Sequence, residues 1–163
     1  HAAGLSLPIM ADALRHFPGL AHRCELIAEV AGVRYVNDSK GTNVGAAQAA
    51  LQGLGGDRDV VLIAGGQGKG ADFALLGAAV KRNCRQVIVL GEDADSIEAA
   101  LQQAAPIAHA DSLERAVQDA AELAQSGDTV LLSPACASFD MFSGFAARGE
   151  AFARAVKALG GDT

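Results

Sequence analysis

The residues best suited to chemistry form one short run, Asn-Asp-Ser-Lys-Gly-Thr-Asn at 37–43, which we call the first loop. The β-branched run at 32–36 predicts a strand before it, and the Ala-rich run at 44–54 predicts a helix after it, capped by Thr42 or Asn43. Because free N–H groups at the start of a helix attract anions, the pattern indicates a site for a charged small molecule. The alternative is a capped loop whose acid and amine are merely solvated.

A second unusual segment, the glycine-rich loop at 65–73, reads Gly-Gly-Gln-Gly-Lys-Gly-Ala-Asp-Phe. Its glycines allow the backbone to approach a ligand closely, and Lys69 offers a cation. Asp72 is placed to cap the helix that we expect next. The segment is not a Walker A phosphate loop, because Gly70 follows the lysine where Ser or Thr is required, and Ile63 stands where the first glycine is required.

The glycine-rich loop also allows a different hypothesis, a dinucleotide-binding module of the NAD type. Gly66, Gly68 and Ala71 match the pattern G-x-G-x-x-A, and Glu92 ends the following strand as a candidate acceptor for a ribose hydroxyl. A lone match of this kind occurs often by chance. A lysine inside this pattern favours contact with an anion. The charged-ligand site and the dinucleotide-binding module therefore both stay open at this point.

A third loop, Ser-Pro-Ala-Cys-Ala-Ser-Phe-Asp at 133–140, follows another predicted strand. Its small residues can present N–H groups and the hydroxyls of Ser133 and Ser138 to a carboxylate. Cys136 invites a nucleophile hypothesis, but no His or Asn lies near it in the sequence to activate it. We therefore expect Cys136 to be a packed thiol.

Apolar runs that alternate with amphipathic helical patterns set the order of elements around these loops. This order predicts an α/β fold: a single Rossmann-like, three-layer domain with a mostly parallel sheet, helices on both faces and an antiparallel hairpin near the N-terminal end. The carboxyl ends of parallel strands meet at one edge, so the three loops should open together. The predicted helices cover 6–17, 44–54, 73–82, 96–104, 112–125 and 144–159, and the predicted strands cover 23–30, 32–36, 59–64, 86–90, 106–109 and 129–132.

Composition excludes several classes of protein. A net charge of −6 and an isoelectric point near 5.1 argue against a nucleic-acid surface, and no apolar run reaches the ~18 residues of a membrane span. Cys24, Cys84 and Cys136 form no CxxC pair, which indicates a reducing, cytoplasmic setting. The histidines lack metal-ligand spacing, so we expect no metal site in this chain. We interpret 1–163 as a single domain, with its core at about 18–159.

Together, the three loops resemble the C-terminal domain of the Mur ligases, over about 18–159. Within that family the first loop is similar to that of the members that join D-glutamate to UDP-N-acetylmuramoyl-L-alanine. The resemblance implies ATP-dependent amide-bond synthesis in peptidoglycan assembly, with Mg²⁺ as a cofactor. The carboxylate of the UDP-linked substrate becomes an acyl phosphate, which the amino group of D-glutamate attacks.

The resemblance also implies roles for particular residues. Lys40 would lie near the transferred phosphate, and Arg23 and Asp38 would contact the nucleotide. The two carboxylates of D-glutamate would be held by Thr42, Lys69, Ser138 and the backbone around Phe139 and Phe145.

One residue departs from the family pattern. Gln67 stands where relatives carry an acid that braces Lys69, so its amide oxygen would have to orient the ammonium group instead. The family's central ATPase domain and N-terminal UDP-binding domain have no counterpart in this sequence. We therefore expect an excised domain that is monomeric, inactive alone and at most a weak binder of D-glutamate or ATP/ADP.

Overall fold

A six-stranded sheet forms the centre of the computed structural model, which describes residues 6–16 and 19–160. Its strand order is β1-β2-β6-β3-β4-β5, and only the β1–β2 pair is antiparallel. The predicted mostly parallel sheet with one hairpin is therefore confirmed. The strands are β1 Glu25–Val30, β2 Val33–Asn37, β3 Val60–Gly65, β4 Cys84–Leu90, β5 Ile107–His109 and β6 Thr129–Leu132.

The hairpin turns where the sequence predicted it. Ala31 and Gly32 both have positive φ, 52° and 76°, which is the backbone of a two-residue hairpin turn whose twist matches the flanking strands. The sheet interior follows from composition, because β3 is a continuous apolar run, β6 is apolar after Thr129, and every residue in both strands is buried.

The described residues form six α-helices, of which α2 to α6 pack on the sheet. Side-chain caps fix the starts of two of them, α2 and α5. The side chain of Asn43 accepts a hydrogen bond from Ala46 N, and that of Ser112 accepts one from Arg115 N. The predicted end of the first helix at 17–18 lies outside the described residues. The helices are α1 Leu7–His16, α2 Val44–Leu54, α3 Gly77–Asn83, α4 Ala94–Leu101, α5 Leu113–Leu123 and α6 Phe145–Leu159.

The predicted helix at 73–82 was wrong in one respect, because a 3-10 helix, Phe73–Leu76, precedes α3. Asp72 caps this turn as expected, by accepting a hydrogen bond from Ala74 N. Side chains three residues apart eclipse each other in a 3-10 helix, so Phe73 and Leu76 both enter the core.

Two hydrophobic cores confirm the three-layer arrangement. On one face of the sheet, α2, α3 and α4 bury Leu51, Val80 and Ile97. On the other face, α5 and α6 bury Val117 and Phe152. No helix in the described ranges has the length and apolar composition needed to cross a membrane.

The first, glycine-rich and third loops meet at the carboxyl edge of the sheet and bond to one another. Gln67 and Ala137 exchange two backbone hydrogen bonds of 2.9 Å, and Ala135 N donates to Gly41 O at 2.9 Å. The third loop, which follows the strand between the other two, therefore pairs with both. The convergence that strand topology predicted is present in the structure.

A buried arginine on α6 donates hydrogen bonds to all three loops. Arg148 is 3% exposed, and all three of its guanidinium nitrogens donate hydrogen bonds. Nε donates to Ser39 Oγ at 3.0 Å, and Nη2 donates to Ser39 O at 3.0 Å and Cys136 O at 3.1 Å. Nη1 donates to Gly65 O and Ala137 O, each at 3.4 Å. One side chain thus satisfies carbonyls from each loop.

Burial lowers the pKa of the Arg148 guanidinium to about 10, so the group stays charged at neutral pH. Its desolvation is offset by backbone carbonyls and a hydroxyl, and no carboxylate of residues 6–16 or 19–160 forms an ion pair with it. Ser39 extends this network, because its hydroxyl donates to Phe145 O at 2.7 Å. The first loop is therefore bonded to both the side chain and the start of α6.

Two glycines allow the glycine-rich loop to lie this close to its neighbours. Gly65 and Gly66 have φ of 134° and 121°, a region that side chains rarely adopt. A Cβ at Gly65 would clash with the carbonyl oxygen of Leu90, and one at Gly66 with that of Ala137. Close contact with the end of β4 at Gly65, and with the third loop at Gly66, is what requires glycine at these positions.

We predict that Arg148→Lys lowers the free energy of unfolding by about 2–4 kcal/mol, because a point-charge ammonium cannot reach carbonyls in three loops. Urea unfolding followed by circular dichroism measures this change. Arg154→Lys is the matched control, since Arg154 is exposed on the same helix. A loss for Arg148→Lys within about 0.5 kcal/mol of the control would contradict the bridging role of the guanidinium.

We also predict that Gly66→Ala destabilises the fold by about 3 kcal/mol or more, since the methyl group would displace the Ala137 carbonyl. Gly53→Ala is the comparison, because no atom lies within 4 Å of a Cβ at that helical position. It should be neutral or stabilise by up to about 1 kcal/mol. Equal thermal unfolding midpoints for the two variants would refute the proposed close approach.

Candidate functional site

A cavity of about 270 Å³ opens between the three loops, and we call it the loop cleft. The residues predicted to hold an amino acid or to lie near a transferred phosphate all line it. Their convergence comes from the sheet, which brings the ends of β2, β3 and β6 together. The lining residues are Lys40, Thr42, Gln67, Gly68, Lys69, Ala137, Ser138, Phe139 and Phe145.

Two ammonium groups give the loop cleft its positive charge. Lys40 Nζ lies 4.0 Å from the centroid of the Phe145 ring, and Lys69 Nζ lies 5.7 Å from that of Phe139. A cation over an aromatic face is held by the ring quadrupole yet keeps its hydrogen-bond donors. Within the described residues neither lysine is paired with a carboxylate. Both cations are therefore available to an anionic ligand.

A second cavity, of about 430 Å³, lies between the first loop and α2, and we call it the helix cleft. Arg23, Asp38 and Lys40 line its polar side, while small residues of α2 and one leucine line the other. Lys40 therefore borders both clefts. A flat apolar wall beside exposed Arg23 suits a ligand with a ring and an anionic group. The α2 residues are Ala46, Ala49, Ala50, Gly53 and Leu54.

Asp38 is fixed by the protein, so the alternative of a solvated acid was wrong. It is only 7% exposed. Its Oδ1 accepts a hydrogen bond from Cys24 N at 3.3 Å, and its Oδ2 accepts one from Ser133 Oγ at 2.7 Å. The expectation that Ser133 presents its hydroxyl to a ligand is also wrong, because Ser133 is fully buried in that bond. The acid orders the first loop against the third.

Gln67 does not brace Lys69 in this structure. Its amide nitrogen donates to Glu92 Oε2 at 3.3 Å, while its backbone pairs with Ala137. The carboxylate of Glu92 thus bonds to the glycine-rich loop of the protein itself. A Cβ at Gly68 would come within 2.6 Å of the Phe73 ring. Packing within the protein therefore accounts for the features that suggested a dinucleotide module.

Burial makes Cys136 a poor nucleophile, in agreement with its expected packing role. The residue is fully buried, and desolvation raises the pKa of its thiol to about 12. Cys24 is exposed, but burial of its thiol, the charge of Asp38 and a hydrogen bond to it raise its pKa to about 11. Both thiols stay protonated at neutral pH.

Arg148 and Ser39 are the residues of the site that sequence reasoning missed. A signal for Arg148 was present, because it lies four residues before Phe152 and eight before Val156, on the buried face of α6. A charged residue in an apolar stripe indicates a buried polar network. The carbonyls that it binds come from loops distant in sequence, so the pattern alone could not identify its partners.

Sequence comparison supports the similarity that the loops suggested. Residues 22–136 match the family described as "Mur ligase, glutamate ligase domain". Over 161 residues the chain is 55% identical to the UDP-N-acetylmuramoylalanine–D-glutamate ligase of Pseudomonas syringae pv. syringae. The alignment covers 98% of this chain and 36% of that protein. The chain thus spans about a third of the length of the curated relatives it matches.

Comparison of structures supports the same fold. The murein peptide ligase of Psychrobacter arcticus matches with a TM-score of 0.63 at 18% identity, over 98% of this chain and 34% of that one. The MurF ligase of Thermotoga maritima in complex with ADP matches with a TM-score of 0.59 at 18% identity, over 94% of this chain and 37% of that one. Since the family match spans most of the sequence and all three loops converge, the chain belongs to the Mur ligase family, in its glutamate ligase domain.

Proposed function

We propose that this chain is the amino-acid-binding domain of an ATP-dependent ligase in cytoplasmic peptidoglycan synthesis. The ligase would join D-glutamate to UDP-N-acetylmuramoyl-L-alanine, as the name of the Pseudomonas syringae relative states for that protein. The observation that carries the proposal is the loop cleft, where Lys40, Thr42, Lys69 and Ser138 line one cavity. A small diacid requires this combination of cations and hydroxyl donors.

D-glutamate would lie in the loop cleft with its carboxylates bound by the protein. Lys69 and Thr42 supply an ammonium and a hydroxyl, and Ser138 adds a hydroxyl next to the N–H groups around Phe139 and Phe145. Lys69 has a φ of 54°, a strained conformation of the kind that concentrates at functional sites. Phe139 beside it is 66% exposed, so its ring can cover a bound ligand.

Lys40 would connect amino-acid binding to the reaction, because it borders both clefts. The carboxylate of the UDP-linked substrate accepts a phosphoryl group, and ADP is released as the acyl phosphate forms. The amine of D-glutamate then attacks the carbonyl carbon; the C–N bond forms, the C–O bond to phosphate breaks and the amine loses a proton. The ammonium of Lys40 would neutralise charge that develops on the transferred phosphoryl group.

The helix cleft would contribute part of the nucleotide site. Exposed Arg23 can reach a phosphate, and Asp38 lines the same cleft. Asp38 is the one carboxylate among the described lining residues, and both of its oxygens already accept hydrogen bonds. It is thus poorly placed to bind Mg²⁺, whose ligands we assign to parts of the ligase outside this chain.

The domain would work within a longer protein, because it spans only 36% of its Pseudomonas syringae relative. Most contacts to ATP and to the UDP-linked substrate would come from that remainder. We therefore propose that the domain alone is monomeric and catalyses no ligation. Closure of this domain over the others would bring the two clefts to the reacting groups.

In a full-length ligase carrying this domain, Lys69→Ala should raise the KM for D-glutamate at least about tenfold, because it removes a charge-assisted hydrogen bond to a carboxylate. The KM for ATP should stay near the wild-type value. Steady-state assays of ADP release measure both constants. Lys81→Ala provides the control, since Lys81 is exposed on α3. An unchanged D-glutamate KM in Lys69→Ala would show that Lys69 does not bind this substrate.

Lys40→Met should instead lower kcat by about 100-fold or more, with a smaller effect on the D-glutamate KM. Methionine retains much of the apolar part of the Lys40 side chain over the Phe145 ring but lacks the charge. The same assay applies, with the unfolding midpoint checked to confirm that the variant is folded. A kcat within about threefold of wild type would exclude Lys40 from stabilising the phosphoryl group.

A further inference from the structure

Three metal-ligating side chains converge at the outer edge of the sheet, away from both clefts. Asp95 and Glu98 lie three residues apart on α4, and His109 is the last residue of β5. One ligand atom from each lies within 4.8 Å of the other two. His109 Nε2 is 2.9 Å from Glu98 Oε2. We call this group the edge triad.

Contrary to the expectation from the spacing of the histidines, we propose that the edge triad binds a divalent transition-metal ion of the zinc class. One imidazole nitrogen and two carboxylate oxygens form a ligand set that suits Zn²⁺, with water completing the coordination shell. Imidazole disfavours Mg²⁺, which prefers oxygen ligands and keeps its own waters. The ion would lie where His109 and Glu98 now form a hydrogen bond.

The backbone already holds the ligands near the required spacing. Residues three apart on a helix project from the same face, so Asp95 and Glu98 can approach one ion together. Pairing of β5 with β4 fixes His109 opposite Val89. The side chains of Glu98 and His109 are each 44% exposed, so an ion can enter from solvent. Small side-chain rotations would close the triad around it.

A bound ion would act as a clamp, because it would link α4 to the outermost strand. β5 has only three residues, and within the described part of the chain β4 is its one neighbouring strand. Asp93, two residues before Asp95, accepts a hydrogen bond from Gly68 N at 2.7 Å. The clamp would therefore fix the start of α4 where it contacts the glycine-rich loop. This inference does not rest on the proposed ligase activity.

The chain offers a matched control for this site. His16 Nδ1 lies 3.5 Å from Asp12 Oδ1 on α1, with both side chains exposed. That pair resembles His109 and Glu98 but lies outside the edge triad. Substitution of His16 therefore tests whether any exposed histidine beside an acid is enough to bind zinc.

The test is a Zn²⁺ titration of the 163-residue chain by isothermal calorimetry, in a buffer that does not chelate metal. We expect one saturable site, weakened at least about tenfold in His109→Ala, Asp95→Asn and Glu98→Gln, and unchanged in His16→Ala. Thermal unfolding without zinc confirms that each variant is folded. Absence of saturable binding, or equal affinity in His109→Ala and wild type, would overturn the proposal.

A second measurement locates the ion independently of affinity. Co²⁺ is paramagnetic and takes the same ligands as Zn²⁺, so it should broaden amide resonances at 94–98 and 107–110 in a ¹⁵N-labelled chain. Excess Zn²⁺ should restore them, whereas equal Mg²⁺ should not. Broadening centred on His16, on Cys24 or on the loop cleft would contradict the assignment to the edge triad.

Discussion

The buried guanidinium of Arg148 is the constraint on which the rest of the site depends. Parallel strands end in loops whose carbonyls have no partner in the sheet, and three such loops meet here. Arg148 donates to Ser39, Gly65, Cys136 and Ala137, so carbonyls from every loop share one cation. Leaving such groups unpaired in the interior would cost far more than the net gain of each bond.

In this network the buried charges are paired with groups of the protein, whereas the two lysine charges in the loop cleft stay available to a ligand. The Arg148 cation is satisfied by carbonyls, and the Asp38 carboxylate is satisfied by Cys24 N and the Ser133 hydroxyl. Neither therefore neutralises Lys40 or Lys69, which rest over aromatic rings in the loop cleft. A domain with a net charge of −6 thus keeps a locally positive cavity. Local arrangement, rather than total charge, determines what this site can bind.

Sequence reasoning succeeded where local pattern determines structure. Apolar runs and the hairpin pattern identified every strand of the sheet, and the helix at Val44–Leu54 and the strand at Thr129–Leu132 have the predicted bounds. Strand order also required the three loops to converge. The partners of Ser133 and Gln67 were not predictable, because they depend on residues 95 and 25 positions away. Arg148 was missed for the same reason, although its place among apolar residues was visible.

The most direct test of this account is amide hydrogen exchange in the wild-type chain and in Arg148→Lys, read at Gly41, Gln67 and Ala137. If one guanidinium holds the loops together, protection should fall at all three amides in the variant, while Val61 and Leu131 in the sheet stay protected longer. Loss of protection confined to Ala137 would show that the loops are held independently, and would contradict the central role of Arg148.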